Sequence, residues 1–196
     1  MNNLLDEKYW TTRYFNNSTA WDAGEVTKPV KQYLDQLENK DIKILVPGAG
    51  NGHEVGYAFE NGFKNIHILD ISELPLKRFL ERFPEFPKHQ VHHQDFFEHV
   101  GQYDLILEQT FFCSLPPVLR EKYVSKMKQL LKPKGKLVGL LFGRYFSHEG
   151  PPFGGDLEEY FNLFSKELEA LILEPCYNSI PPRMGTELFV SLRKNQ

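Results

Sequence analysis

Short strand-like runs alternate with amphipathic stretches along most of this chain, and that rhythm points to an α/β fold with a mostly parallel sheet covered on both faces. The strand-like runs fall at 42–46, 66–70, 91–94, 103–107, 136–142, 168–173 and 187–193, with amphipathic stretches at 54–61, 74–82, 117–131 and 156–164. Pro117 sits near the start of its stretch and Lys132-Pro133-Lys134-Gly135 closes it, as start and stop signals should. No helix separates the last two runs, so the short connection through 175–182 predicts that they pair antiparallel. Residues 1–40 read as a helical cap on the carboxyl edge of the sheet, and 1–196 as a single domain.

Ligands of open α/β sheets bind outside the carboxyl ends of the strands, where the strand order reverses. Here the first run leads into Pro47-Gly48-Ala49-Gly50-Asn51-Gly52, ahead of His53 and Glu54. Gly48, Gly50 and Gly52 let the backbone turn sharply and approach a ligand where a Cβ would collide. Asp70 ends the second run, where its carboxylate could accept both hydroxyl protons of a ribose. The register is Gly-x-Gly-x-Gly and not the dinucleotide fingerprint that aims a helix N-terminus at a pyrophosphate. An adenosine cofactor without phosphates, S-adenosylmethionine, suits it better; the alternative is a glycine-rich turn that merely joins strand to helix. Asp95 follows the third run and could accept a proton from an adenine amino group, with Phe96 either on the ring or in the core.

At 196 residues and 41% hydrophobic content the chain can bury one substantial core. A formal charge of −3 with no basic block argues against a nucleic-acid partner. No apolar run is long enough to span a bilayer, and the polar start Met1-Asn2-Asn3-Leu4-Leu5-Asp6-Glu7 does not read as a signal peptide, so the expectation is a cytoplasmic protein with no membrane contact. Cys113 and Cys176 make no disulfide framework and fit a reducing compartment.

Several segments resemble the thiopurine S-methyltransferase family, especially its halide/thiol methyltransferase branch. They are Ser18-Thr19-Ala20-Trp21-Asp22-Ala23-Gly24, the glycine loop, Leu69-Asp70-Ile71-Ser72, and Glu108-Gln109-Thr110-Phe111-Phe112-Cys113-Ser114-Leu115-Pro116-Pro117 with Arg120. Gly150-Pro151-Pro152-Phe153 and Ile180-Pro181-Pro182-Arg183-Met184-Gly185 complete the set, in family order across almost the whole chain. The resemblance implies a class I methyltransferase, Rossmann-like, with a seven-stranded mostly parallel sheet, S-adenosylmethionine as cofactor, and a small soft nucleophile as acceptor. It assigns Trp10, Tyr14 and Trp21 to the methionine end of the cofactor, where aromatic faces suit a sulfonium. Gly48, Gly50 and Gly52 would approach its amino-acid and ribose portions, Asp70 the ribose hydroxyls, Asp95 and Phe96 the adenine, and Gln109 the methionine region, with Ile71 also expected to bind the cofactor. Tyr14 stands where the family commonly has tryptophan. Val46 stands where class I enzymes typically open the glycine motif with an acid, leaving amino-group recognition to backbone carbonyls or Asp22.

Methyl transfer to a thiolate or similar anion neutralises both charges, so a dry pocket that aligns the partners helps most and no strong base is required. A nearby cation would raise the ionised fraction of a thiol, and Arg120 is the candidate, against the alternative of a solvated arginine beside Glu121. Trp21, Phe112 and Tyr145 are the expected walls of the acceptor pocket. Cys113 lacks His and Asp partners at a recognisable spacing and reads as a small buried residue. His89, His92, His93, Asp95 and His99 invite a metal reading, but on a strand His92 and His93 face opposite ways, so no metal site is expected. Other readings are a methyltransferase for protein or RNA and a catalytically silent cofactor-binding protein. The expected partner is a small-molecule acceptor, and the expected state a monomer.

Overall fold

A computed structural model describes residues 5–195; the polar start at 1–4 lies outside the described residues. The strands are β1 (Ile44–Pro47), β2 (Ile66–Asp70), β3 (Val91–His93), β4 (Tyr103–Gln109), β5 (Leu131–Phe142), β6 (Glu169–Pro175) and β7 (Glu187–Arg193), in one sheet of order β3-β2-β1-β4-β5-β7-β6. The first five pair parallel with their neighbours, and β7 lies antiparallel between β5 and β6. The antiparallel end follows from the short connection between β6 and β7, which holds no α-helix to carry the chain back for a parallel crossover.

The helices are α1 (Glu7–Phe15), α2 (Lys28–Asp35), α3 (His53–Glu60), α4 (Glu73–Arg82), α5 (Arg120–Leu130) and α6 (Leu157–Phe164). Strand period separates two core layers. Ile44 and Val46 of β1 meet Val30 and Leu34 of α2, Val55 of α3 and Phe79 of α4 on one face. Leu45 faces the opposite layer, built on Tyr123 and Met127 of α5 and on Tyr160 and Phe164 of α6. Every residue of β1 and β2 is therefore buried.

Three local expectations shift. The stretch expected as one helix over 117–131 begins as a 3₁₀ turn at Pro117–Leu119, where Leu119 N donates to Pro116 O and Arg120 N to Pro117 O, each three residues back. Lys132 to Gly135 follow the helix as the irregular opening of β5, with Lys134 left-handed at φ 65° and a register shift opposite Tyr103 and Leu105. Within residues 5–40, only α1 and the loop after it stand over the carboxyl edge, whereas α2 is a layer helix in the core. Helix α1 is capped by Asp6 and tied to that edge by Thr11 Oγ1 with Ser72 Oγ at 2.8 Å and by Glu7 with His93 Nε2 at 3.1 Å. No helix among the described residues is long and apolar enough to cross a membrane.

Candidate active site

The strand order reverses between β1 and β4, and the carboxyl ends of these strands open a crevice there. Three glycines carry β1 into α3 with φ of 58°, 52° and 70° at Gly48, Gly50 and Gly52. That left-handed geometry disfavours any side chain, and the room a Cβ would need is already taken. At Gly48 it would lie 2.2 Å from the Phe111 ring, at Gly50 2.5 Å from the Tyr14 hydroxyl, and at Gly52 2.6 Å from Phe79. The close approach the glycines permit in this structure is therefore first of all to the protein's own aromatic rings.

Asp70 ends β2 beside this loop. Its Oδ2 accepts from Gly50 N at 2.8 Å and its Oδ1 from Ser72 N at 2.8 Å, and burial pushes its pKa up to about 6 against these bonds. Each oxygen keeps a lone pair for a further donor.

A cavity of about 410 Å³ runs along the crevice. Asp70, Ile71, Asp95 and Phe96 line it at the β2–β3 end. Trp10, Tyr14 and Trp21 roof it, with both Trp10 and Tyr14 edge-on to Trp21 at 5.5 and 5.8 Å. Asp95 Oδ1 accepts from Phe97 N at 2.8 Å, a turn bond that holds Phe96 and Phe97 at the wall. A second space of about 40 Å³ lies between the glycine loop and the Trp21 segment, lined by Asp22, Gly50, Glu54 and Gln109. There Gln109 accepts from Thr27 Oγ1 at 2.9 Å, while its buried Nε2 has no partner among the described residues. Asp22 accepts from Gly24 N, Asn51 Nδ2 and His53 Nε2; burial opposes its charge, but these bonds win and hold the carboxyl well below the usual carboxylate range. Gly52 lines neither space; it seats α3 against Phe79 and Ile68.

The expected acceptor side needs more correction. Arg120 is buried and does not face the cavity: it is ion-paired with Glu159 and donates to Gly154 O at 2.7 Å. Phe112 turns into the core against Tyr123 and Tyr160, and its neighbour Phe111 takes the wall. Tyr145 is exposed and bonds to Asp156 and Glu159 outside the cavity. Residues with no role assigned from sequence line the space instead: Arg13, Lys122 and Arg183 as cations, and Leu115, Pro151 and Pro152 as apolar wall. Arg183 borders both spaces, donates to Trp21 O, and approaches Glu187 at 3.4 Å. Its signal was present in the Pro181-Pro182-Arg183 segment, which carried part of the resemblance without a role attached. Cys113 lines the cavity as a thiol, which burial pushes up and keeps protonated.

The histidines divide. His67 Nδ1 meets His92 Nε2 at 2.8 Å, and His99 bridges Gln94 and the Tyr103 hydroxyl at 2.6 and 2.7 Å, while His93 bonds to Glu7 and Ile71 O. Among the described residues no group of three His, Cys, Asp or Glu side chains is placed to hold a metal ion.

The donor set fits S-adenosylmethionine. The unpartnered Gln109 amide offers a donor to a carboxylate, Asp70 keeps acceptor capacity for a diol, and the aromatic roof suits a cation. Comparison with known proteins agrees. The family described as Thiopurine S-methyltransferase (TPMT) matches residues 5–188. A probable thiol methyltransferase 2 of Arabidopsis thaliana is 30% identical over 184 residues, covering 91% of this chain and 81% of its own. Thiocyanate methyltransferase 1 of Brassica oleracea is 30% identical over 189 residues, covering 93% and 83%. A thiopurine S-methyltransferase of Vibrio parahaemolyticus is 25% identical over 181 residues, covering 83% of each. Among solved structures, the 1,6-didemethyltoxoflavin-N1-methyltransferase of Burkholderia thailandensis, holding S-adenosylhomocysteine, superposes with a TM-score of 0.76 at 17% identity, over 97% of this chain and 87% of that one. The magnesium protoporphyrin IX methyltransferase of Synechocystis PCC 6803, also with bound SAH, gives 0.72 at 13% identity, over 96% and 97%. With its wound sheet, glycine loop and strand-end acid, this chain is an S-adenosylmethionine-dependent methyltransferase and belongs to the thiopurine S-methyltransferase family.

Proposed function

We propose that the acceptor is a small soft nucleophile such as a thiol, thiopurine, bisulfide or halide. In that reaction bound S-adenosylmethionine supplies an electrophilic methyl group; the acceptor's lone pair forms the new bond to its carbon as the carbon–sulfonium bond breaks, the electron pair staying on the departing sulfur.

One observation carries the reading. Phe111, Leu115, Phe142, Pro151 and Pro152 give the cavity an apolar stretch with the Arg183 guanidinium 5.9 Å from the Phe142 ring centre; the carboxylates among the described lining residues are Asp70 and Asp95, already placed at the β2–β3 end, and no imidazole lines it. A hydroxyl acceptor would need a base there to take its proton, and a protonated amine is disfavoured beside a guanidinium. A thiol with ordinary pKa is already partly ionised near neutrality, and a guanidinium raises that fraction. Burial keeps Cys113 protonated, so it does not compete as a nucleophile.

The cofactor roles follow the placements. Asp70 holds the ribose hydroxyls, Asp95 and Phe96 the adenine, Gly48 and Gly50 the backbone contacts, and Gln109 with Asp22 the amino-acid end. Trp10, Tyr14 and Trp21 form the cap that excludes water. The protein works on this reading as a single-domain cytoplasmic monomer.

The test is a competition among acceptors against a radiolabelled methyl donor, ranking thiols, selenols, halides, amines and phenols together. Label in the thiol, selenol or halide products is the expected result. Label confined to amines or phenols would overturn the reading.

A further inference from the structure

Glu108, one residue before the end of β4, is fully buried and touches neither cavity. Its Oε1 accepts from Phe111 N at 2.8 Å and Phe112 N at 2.9 Å, and its Oε2 accepts from the Tyr123 hydroxyl. A carboxylate is acceptor-only, and in this position it meets three donors. Burying one is costly unless it is bonded in this way, and burial pushes its pKa up to about 7 despite the bonds.

The turn that Glu108 holds is the one that leaves the sheet to wall the cavity. Thr110, β-branched yet left-handed at φ 60°, breaks the strand, and Ser114 closes the turn onto Phe111 O. From this turn the Phe111 ring lies against Gly48 and Phe96, on the side of the cofactor loop. Cys113 O accepts from Phe153 N at 2.7 Å, next to Pro151 and Pro152 on another stretch of the wall. On the far side β5 leaves no slack, because a Cβ at Gly139 would stand 1.9 Å from the Glu108 carbonyl oxygen.

We propose that Glu108 is a positioning residue for methyl transfer: its carboxylate clamps the 110–114 turn and, through Cys113, seats the 150–153 segment, so that one buried group aligns two parts of the acceptor wall with the cofactor loop. Both carboxylate oxygens are occupied away from the cavity, so the residue acts through this turn and touches no reacting atom. The proposal rests on the methyl-transfer reading above.

Glu108→Leu, Glu108→Gln and Tyr123→Phe separate the possibilities. Gln keeps an acceptor for both backbone donors and turns its amide toward the phenol, whereas Leu removes all three bonds. With Leu, kcat at saturating cofactor and acceptor should fall by about 30-fold or more, while calorimetric affinity for S-adenosylhomocysteine stays within about 3-fold. Gln should restore kcat to within about 3-fold of the parent. Hydrogen exchange on the S-adenosylhomocysteine complex should quicken by about 10-fold or more at 110–114 and at the Phe153 amide in the Leu variant, and stay unchanged in β1. Parent-level kcat in Leu, Gln as slow as Leu, or unchanged exchange at the Phe153 amide would each overturn the clamp. Should Leu fail to fold, Tyr123→Phe decides by removing the phenol donor alone: slower turnover with faster exchange at 110–114 supports the clamp, and parent-like turnover or parent-like exchange overturns it. The exchange measurement needs no acceptor, so a parent protein that methylates none of the panel would sink the acceptor reading and still leave the clamp to be judged.

Discussion

The backbone N–H of Gly50 donates to Oδ2 of Asp70 at 2.8 Å, joining the glycine loop after β1 to the acid that ends β2. One bond thus couples the two elements proposed to approach the cofactor's adenosine: the loop takes its shape from the carboxylate, and the carboxylate is held in place by the loop. Ser72 N secures the other oxygen, so what Asp70 offers a ligand is a fixed pair of remaining lone pairs.

Replacing Asp70 with Asn should therefore weaken S-adenosylhomocysteine by about 1 to 3 kcal/mol, the cost of buried donors left without a full acceptor. The pH dependence has a definite sign. Burial raises the Asp70 pKa to about 6 in the free protein, and ribose hydroxyl donors favour the charged form, so affinity should fall as pH drops through about 6. Calorimetric titrations from pH 8 to 5 should show that decline in the parent and a flatter profile in Asp70→Asn. Equal profiles, or parent-like affinity in the variant, would remove Asp70 from the ribose site.

The buried histidines make a separate prediction about stability. Burial, with nearby cationic groups including Lys43 and Lys126, holds His67 down at about 3 and His99 at about 4, against an ordinary 6.5. The folded protein thus binds fewer protons than the unfolded chain below that ordinary value, so the contribution is complete above pH 6.5 and is lost as pH falls toward 4. Asp70 and Glu108 act in the opposite direction, because their raised values of about 6 and about 7 make proton uptake favour the folded state as pH falls. His99→Gln isolates one histidine. It should be less stable than the parent at pH 7.5 by about 1 kcal/mol, from the Tyr103 bond, yet lose less between pH 6.5 and 4.5. Parallel melting profiles for the two proteins would clear His99 of the acid sensitivity.

Much of the fold could be read from local pattern, and much of the candidate acceptor site could not. Strands β1 and β2 announce themselves because both faces are buried and the runs are nearly all apolar, the exceptions in β2 being Asp70 at its end and His67, which is bonded to His92. The glycine loop is equally local, since its left-handed backbone demands Gly48 and Gly52 whatever surrounds them. Phe111 and Phe112 differ only in which way a 3₁₀ turn aims them, and two phenylalanines in a row contain no sign of that. Arg120 is settled by Glu159 on another helix, a partner that spacing along the chain does not reveal. Likewise Arg183 reaches the site only because its loop folds back under Trp21.

That exchange of arginines yields the sharpest functional test. On the acceptor reading, losing the Arg183 guanidinium should raise the pKa of a bound thiol and leave an already ionised halide or bisulfide less affected. Removing Arg183 alone would strand Glu187, itself pushed up by burial, so the cleaner variant is Arg183→Gln with Glu187→Gln. At pH 7 its kcat/KM for thiols should drop by about 10-fold, the equivalent of one pKa unit, with a smaller loss for halides, and the thiol rate should recover as pH rises. Arg120→Gln should behave differently, because Arg120 is spent on Glu159 and Gly154 O: a stability loss of about 1 to 2 kcal/mol, discounted for the solvent around Glu159, with acceptor KM unchanged. If Arg120→Gln alone shifts the thiol pH profile while the Arg183 variant does not, the cation that serves the acceptor is Arg120 after all, reaching it by a rearrangement of the 150–155 segment.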